Sequence, residues 1–125
     1  TFAAQRPGWA LPIHKLLVKY GVTALFHGHD HLYDHQMLDG VHYQEVPQPS
    51  ALNSQSGPSL AATYHYASGT ILSSSGHLLV TVTPTGVKVD YVRTWLPANE
   101  TVTRKNGQVD DSWTVGTPAP LKVSR

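Results

Sequence analysis

Two histidines two residues apart close an apolar run in Leu25-Phe26-His27-Gly28-His29-Asp30-His31. Neutral imidazole is the commonest metal-binding side chain. In an extended segment residues i and i+2 project to one side, so the rings of His29 and His31 are expected to face one ligand or one pair of metals. Gly28 is expected to supply the backbone freedom for a sharp exit from a strand end. Two histidines do not complete a centre. A catalytic zinc takes three protein ligands plus water, and a two-metal site needs a bridging carboxylate as well. The chain has no Cys, so further ligands must be His, Asp or Glu.

Nearby candidates are weaker. Asp30 is expected to point away from its two neighbours, Asp39 belongs to a turn, and Asp34 has no supporting pattern. His27, just before Gly28, reads as a packed histidine or one that orients a ligand. His35 and His42 alternate with apolar residues and are expected at the surface or half-buried. His14, His65 and His77 have no partner in sequence and read as structural. No Gly-rich phosphate loop, G-x-S-x-G elbow or Cys/His pair is present, and no catalytic residue is assigned.

The elements that must position these residues follow from periodicity. Ile13, Leu16, Leu17 and Tyr20 fall at i, i+3, i+4 and i+7, with Pro12 in the first turn and Gly21 just after, predicting a helix over 11–21 whose apolar stripe packs on a sheet. Val22 to Phe26 lacks alternation and predicts a strand buried on both faces. Helix then buried strand is an α/β unit, and in such sheets ligands gather beyond the carboxyl ends of strands, where the histidines fall. Tyr33–Leu38 and Val41–Val46 around Asp39-Gly40 predict a two-residue hairpin. Pro47 to Ser59 reads as an irregular loop, and Ser73 to Gly76 as a turn. Leu78–Val82 and Val87–Tyr91 around Pro84-Thr85-Gly86 predict a second hairpin. Thr101–Arg104 and Val109–Val115 around Asn106-Gly107 suggest a third, peripheral one.

Composition sets outer limits. The 125 residues make one domain, 40% hydrophobic but only 14% charged. With abundant Ser and Thr, that surface fits secreted or periplasmic proteins. The formal net charge of +1 is spread without a basic run, so the sequence carries no electrostatic footprint for nucleic acid or an anionic membrane. No apolar run reaches the ~18 residues of a transmembrane helix.

Leu16-Leu17-Val18-Lys19-Tyr20-Gly21-Val22, followed by Phe26-His27-Gly28-His29-Asp30-His31-Leu32-Tyr33, resembles the last signature block of the calcineurin-like metallophosphoesterases, the superfamily that includes purple acid phosphatases. The likeness continues less sharply through Gly40 to Pro47 and the hairpin Leu78 to Tyr91, about two-thirds of the chain. It implies an α/β fold: the C-terminal half of a two-sheet α/β sandwich, mostly hairpins with one clear helix, with residues 97–125 as a peripheral extension. It also implies that His29 binds the second and His31 the first of two transition metal ions, Zn, Fe or Mn, which activate water to hydrolyse a phosphomonoester or phosphodiester. The family's earlier blocks, D-x-H, G-D and G-N-H, are missing from the chain. The expectation is therefore a C-terminal portion of a larger catalytic domain, consistent with a start at Thr1. An upstream segment or second chain would supply the Asp, Asn and His ligands, and the isolated chain would hydrolyse little. The competing expectation is a small β-rich binding or structural domain whose histidines bind transition metals adventitiously.

Overall fold

The computed structural model describes residues 2–50 and 56–116. The elements are α1 (Phe2–Gln5), α2 (Ile13–Lys19), β1 (Ala24–His27), β2 (Leu32–Leu38), β3 (Val41–Glu45), α3 (Gly57–Tyr64), β4 (Thr70–Ser73), β5 (Gly76–Thr83), β6 (Gly86–Arg93), a 3₁₀ turn (Pro97–Asn99) and β7 (Val109–Gly116). The fold is mixed α/β, mostly strands with few helices. Four strands form one sheet in the order β1-β3-β2-β4, and three form a second in the order β5-β6-β7.

The first hairpin forms as the sequence predicts. Leu38 pairs with Val41, and Asp39 and Gly40 both take positive φ, 49° and 81°, the two-residue turn that matches strand twist. The second hairpin also forms, pairing Gly76–Thr83 with Gly86–Arg93. β1 then runs parallel to β3 on the side away from β2, Ala24 opposite His42 and His27 opposite Glu45. β3 thus lies between β1 and β2, and the chain from β1 to β2 must cross its carboxyl end.

Alternation divides the four-stranded sheet into two faces. Tyr33, His35, His42 and Gln44 face the second sheet. Tyr33 stacks on Tyr91 with ring centroids 4.4 Å apart, and its hydroxyl donates to Asp111 Oδ2 at 2.6 Å. The indole of Trp113 lies flat against His35 and His42 at 4.8 and 4.6 Å, and its Nε1 donates to Gln44 Oε1 at 2.8 Å. Leu32, Tyr33, Val89 and Tyr91 are fully buried, and the core centres on this layer. The opposite face carries Asp34, Val41 and Glu45, with α3 packed across β4 and β2 and Ala61 buried.

Four expectations change. The helix is shorter, Ile13–Lys19 with Pro12 as its cap, and none of its residues is buried: Ile13 is 51% exposed. Its stripe does not pack on a sheet. Instead, the His14 ring bridges Tyr43 Oη at 2.7 Å and Asp39 Oδ2 at 3.0 Å, tying the helix to the first hairpin. The strand after it starts at Ala24 and lies at the sheet edge with Phe26 41% exposed, so it is not buried on both faces. The expected loop 47–59 is interrupted by α3 at Gly57, capped by Ser56, whose Oγ accepts from Ser59 N, with Pro58 in the first turn. Residues 51–55 of that loop lie outside the described ones. The third hairpin does not form. Residues 101–104 are exposed and form no strand, while β7 pairs with β6 and places Trp113 opposite Val89 in the inter-sheet layer. The 101–104 stretch has little apolar surface to bury, whereas Trp113 and Val115 do.

The entry to α3 is tight. A Cβ on Gly57 would lie 2.5 Å from the Leu72 carbonyl carbon. Gly57→Ala should therefore lower unfolding free energy by about 1–3 kcal/mol, measured by urea denaturation. An unchanged midpoint would mean that α3 does not dock on β4 this closely.

Candidate metal centre

The Gly28–His31 segment is the link from β1 to β2, and it passes over the last residue of β3, Glu45. The Glu45 side chain, 1% exposed, turns up to meet it: Oε1 accepts the Asp30 backbone N–H at 2.9 Å, and Oε2 lies 2.5 Å from His27 Nδ1. His27 is therefore engaged as the ion-pair partner of Glu45. The Asp30 side chain is engaged by α3's end: Oδ2 accepts the Tyr66 hydroxyl at 2.7 Å. Burial and this bond to a carboxylate push the Tyr66 hydroxyl well up from its ordinary range. On the far side of the link, Ser74 Oγ donates to the His31 carbonyl at 2.8 Å and accepts from Gln48 N at 3.0 Å. Ser74 is fixed in turn because Arg93, 5% exposed, donates to the Ser73 carbonyl at 2.7 Å.

The link is not extended. His29 has φ 140° and His31 has φ 58°, both in the region that side chains disfavour, so period-two alternation does not govern their directions. Gly28, from which the special geometry was expected, is not among the positive-φ residues, and a Cβ there would meet nothing within 4 Å. The crossing over β3 needs its sharpest backbone bends later, at the histidines. Such conformations cost of order 1–3 kcal/mol each and persist where surrounding contacts over-determine them. The rings of His29 and His31 lie on exposed residues, and among the described residues neither makes a hydrogen bond or ion pair. His14, His27, His35 and His42, by contrast, all have engaged rings.

Asp34 lies beside this arrangement, opposite Glu45 on β2. It is 2% exposed; Oδ2 accepts from Gln36 Nε2 at 2.5 Å while Oδ1 has no partner. Burial dominates and, despite the Gln36 hydrogen bond and the charge of His27, pushes the carboxyl up to about 6, with the Glu45 charge adding to the rise. His35 and His42 stand on the other sheet face and do not join the candidate ligands. Their rings are nearly coplanar, Nε2 to Nδ1 2.9 Å, and burial lowers both below the ordinary imidazole value, with His42 lowering His35 further and Asp111 opposing. They are half-buried, one of the two placements expected, and face the second sheet. An apolar cleft of about 360 Å³, lined by Phe26, Val80, Val82 and Trp113, also opens between the sheets, and no residue of the histidine link lines it.

The donor set fits half of a metal centre: two unengaged imidazoles on a backbone held from both sides. Among the described residues no group of three or more His, Asp or Glu is placed to hold an ion. Glu45, Tyr66 and Ser74 were not singled out in the sequence. Glu45 had a signal, a charged residue in phase with buried Val41 along β3; Tyr66 and Ser74 had none. No family model matches the chain, and no curated protein matches it.

Two outcomes follow from this geometry. Gly28→Ala should leave thermal stability unchanged within about 1 kcal/mol, whereas His31→Gly should raise it by about 1 kcal/mol through relief of the positive φ; calorimetry that reversed the order would contradict the described link. Asp34 has a folded pKa of about 6 against roughly 3.9 unfolded. Its contribution is therefore full at low pH and is lost as pH rises from about 4 to about 6. Asp34→Asn should remove that loss, gaining about 2 kcal/mol over wild type at pH 7 and nothing at pH 3.5, read from paired urea titrations across pH.

Proposed function

We propose that this chain is the C-terminal portion of a calcineurin-like metallophosphoesterase catalytic domain, with His29 and His31 as imidazole ligands of a dinuclear centre. The remaining Asp, Asn and His ligands come from an upstream segment or a second polypeptide. One observation carries the reading: a histidine link at the carboxyl ends of β1 and β3, strained and held on both sides, with its two imidazoles exposed and unengaged. Carboxyl ends of strands are where α/β sheets gather ligands. The two-sheet arrangement and the order helix, strand, link, hairpin support the same reading.

Zn, Fe or Mn suit imidazole with carboxylate, and a bound pair supplies an activated water and charge stabilisation for hydrolysis of a phosphomonoester or phosphodiester. The chain's own part is to present two imidazoles from a backbone held at Asp30 and His31. His27 is held by Glu45, which leaves the outer pair to meet the ions.

A second reading has one observation in its favour: among the described residues no group of three or more His, Asp or Glu is placed to hold an ion. It makes the chain a small β-rich binding domain that takes up transition metals adventitiously. The two readings part in a protein that carries this chain together with a D-x-H, G-D and G-N-H segment. There, His31→Ala should remove bound metal, measured by elemental analysis, and cut p-nitrophenyl phosphate or bis-p-nitrophenyl phosphate turnover at least ~100-fold, while His14→Ala changes it less than about twofold. Equal turnover in the two variants would sink the enzyme reading.

A further inference from the structure

Asp30 stands between the two candidate ligands and is gripped twice, through its backbone by Glu45 and through its side chain by Tyr66. These grips come from different parts of the fold. Glu45 ends β3 beneath the link, and Tyr66 follows α3, whose final turn is closed by Tyr66 N–H donating to the Ala61 carbonyl at 2.9 Å. Ser74 fixes the His31 carbonyl from a third direction. Two non-glycine residues at positive φ flank Asp30 and would relax to ordinary backbone if Asp30 were free to move.

We propose that Glu45 and Tyr66 are positioning residues for metal capture: by holding Asp30 from two sides they set the backbone at His29 and His31 and so preset the separation of the two imidazoles. This rests on the reading of His29 and His31 as metal ligands. Neither Glu45 nor Tyr66 is itself a ligand in this assignment. The Glu45 carboxylate accepts the Asp30 amide on Oε1 and is in ion-pair contact with His27 through Oε2, and the Tyr66 hydroxyl donates to Asp30. A link fixed before metal arrives loses less freedom on binding, so groups behind the ligands govern affinity.

The test uses the full 125-residue chain, with Ni²⁺ alone as probe, followed by paramagnetic broadening of the histidine ring protons. Exposed His65 and His77 serve as background imidazoles. In wild type, His29 and His31 should broaden together, at lower Ni²⁺ than His65 or His77. Glu45→Ala should raise that common midpoint about 10-fold and shift the backbone couplings that report φ at His29 and His31. Glu45→Gln keeps an oxygen for the Asp30 amide and should stay within about threefold of wild type, a rescue that a purely stabilising role would not give. Tyr66→Phe, which removes one hydroxyl at a half-buried position and keeps the ring, should raise the midpoint about threefold with the fold intact, and it decides the matter if Glu45→Ala does not fold. Wild-type midpoints and couplings in Tyr66→Phe and a folded Glu45→Ala would overturn the positioning role and leave the metal reading standing. If His29 and His31 broaden no earlier than His65 and His77 in wild type, the metal reading falls, and the positioning role falls with it.

Discussion

A buried carboxylate at the end of the middle strand is the constraint around which the rest is arranged. Glu45 is removed from water, and a carboxylate there is tolerated only where donors replace its hydration. It finds a hydrogen bond from the amide of Asp30 and an ion-pair contact with the ring of His27. Both belong to the end of β1 and the link that follows, so satisfying one charge decides how the chain leaves the edge strand. The strand order β1-β3-β2 makes this unavoidable: a four-residue link over the end of β3 has Glu45 directly beneath it. The positive φ values at His29 and His31 are the geometric result.

Adjacent residues of β3 serve opposite layers. Gln44 faces the second sheet, accepts from Trp113 Nε1, and donates to the Asp34 and Glu45 carbonyls at 3.0 and 2.9 Å. Glu45 faces away and receives the link. The position of the histidine link is thereby coupled to inter-sheet packing through one peptide. The inter-sheet layer is aromatic, with Tyr33 on Tyr91 and Trp113 under the paired His35 and His42, and each polar tip has a partner. Such contacts fix register more sharply than aliphatic packing alone. Arg93 does the same at the sheet end, holding the β4–β5 connection that supports His31.

Local chemistry made the hairpins legible in the sequence. Asp39-Gly40 announces its turn because both residues must take positive φ, and Leu78–Tyr91 announces itself by alternation. The helix at Ile13 was legible by period, but its packing was not, because an apolar stripe says that a partner is needed and not which one. The α3 helix was missed because Ser56-Gly57-Pro58 reads as loop chemistry, although Ser followed by Pro also opens helices. Asn106-Gly107 forms the turn its residues predict, yet the strand it starts returns to β6 and not to 101–104. At the site, the histidines were visible by type and spacing. Their geometry was not, since it is set by Glu45, Tyr66 and Ser74, which lie 15 to 43 residues away in sequence.

The parallel edge position of β1 bears on how the protein opens. The β2–β3 hairpin is local and closes through a two-residue turn, whereas β1 joins it with four residues, on one side only, across a longer stretch of chain. Short edge strands with one ladder are among the first elements to detach in sub-global opening. Release of β1 would free His27 from Glu45, slacken the link and scatter the two outer imidazoles while the aromatic layer between the sheets stayed largely closed. The histidine link then shares the lifetime of β1 and not that of the aromatic layer, and amide exchange at Ala24 to His27 would run ahead of exchange in β6.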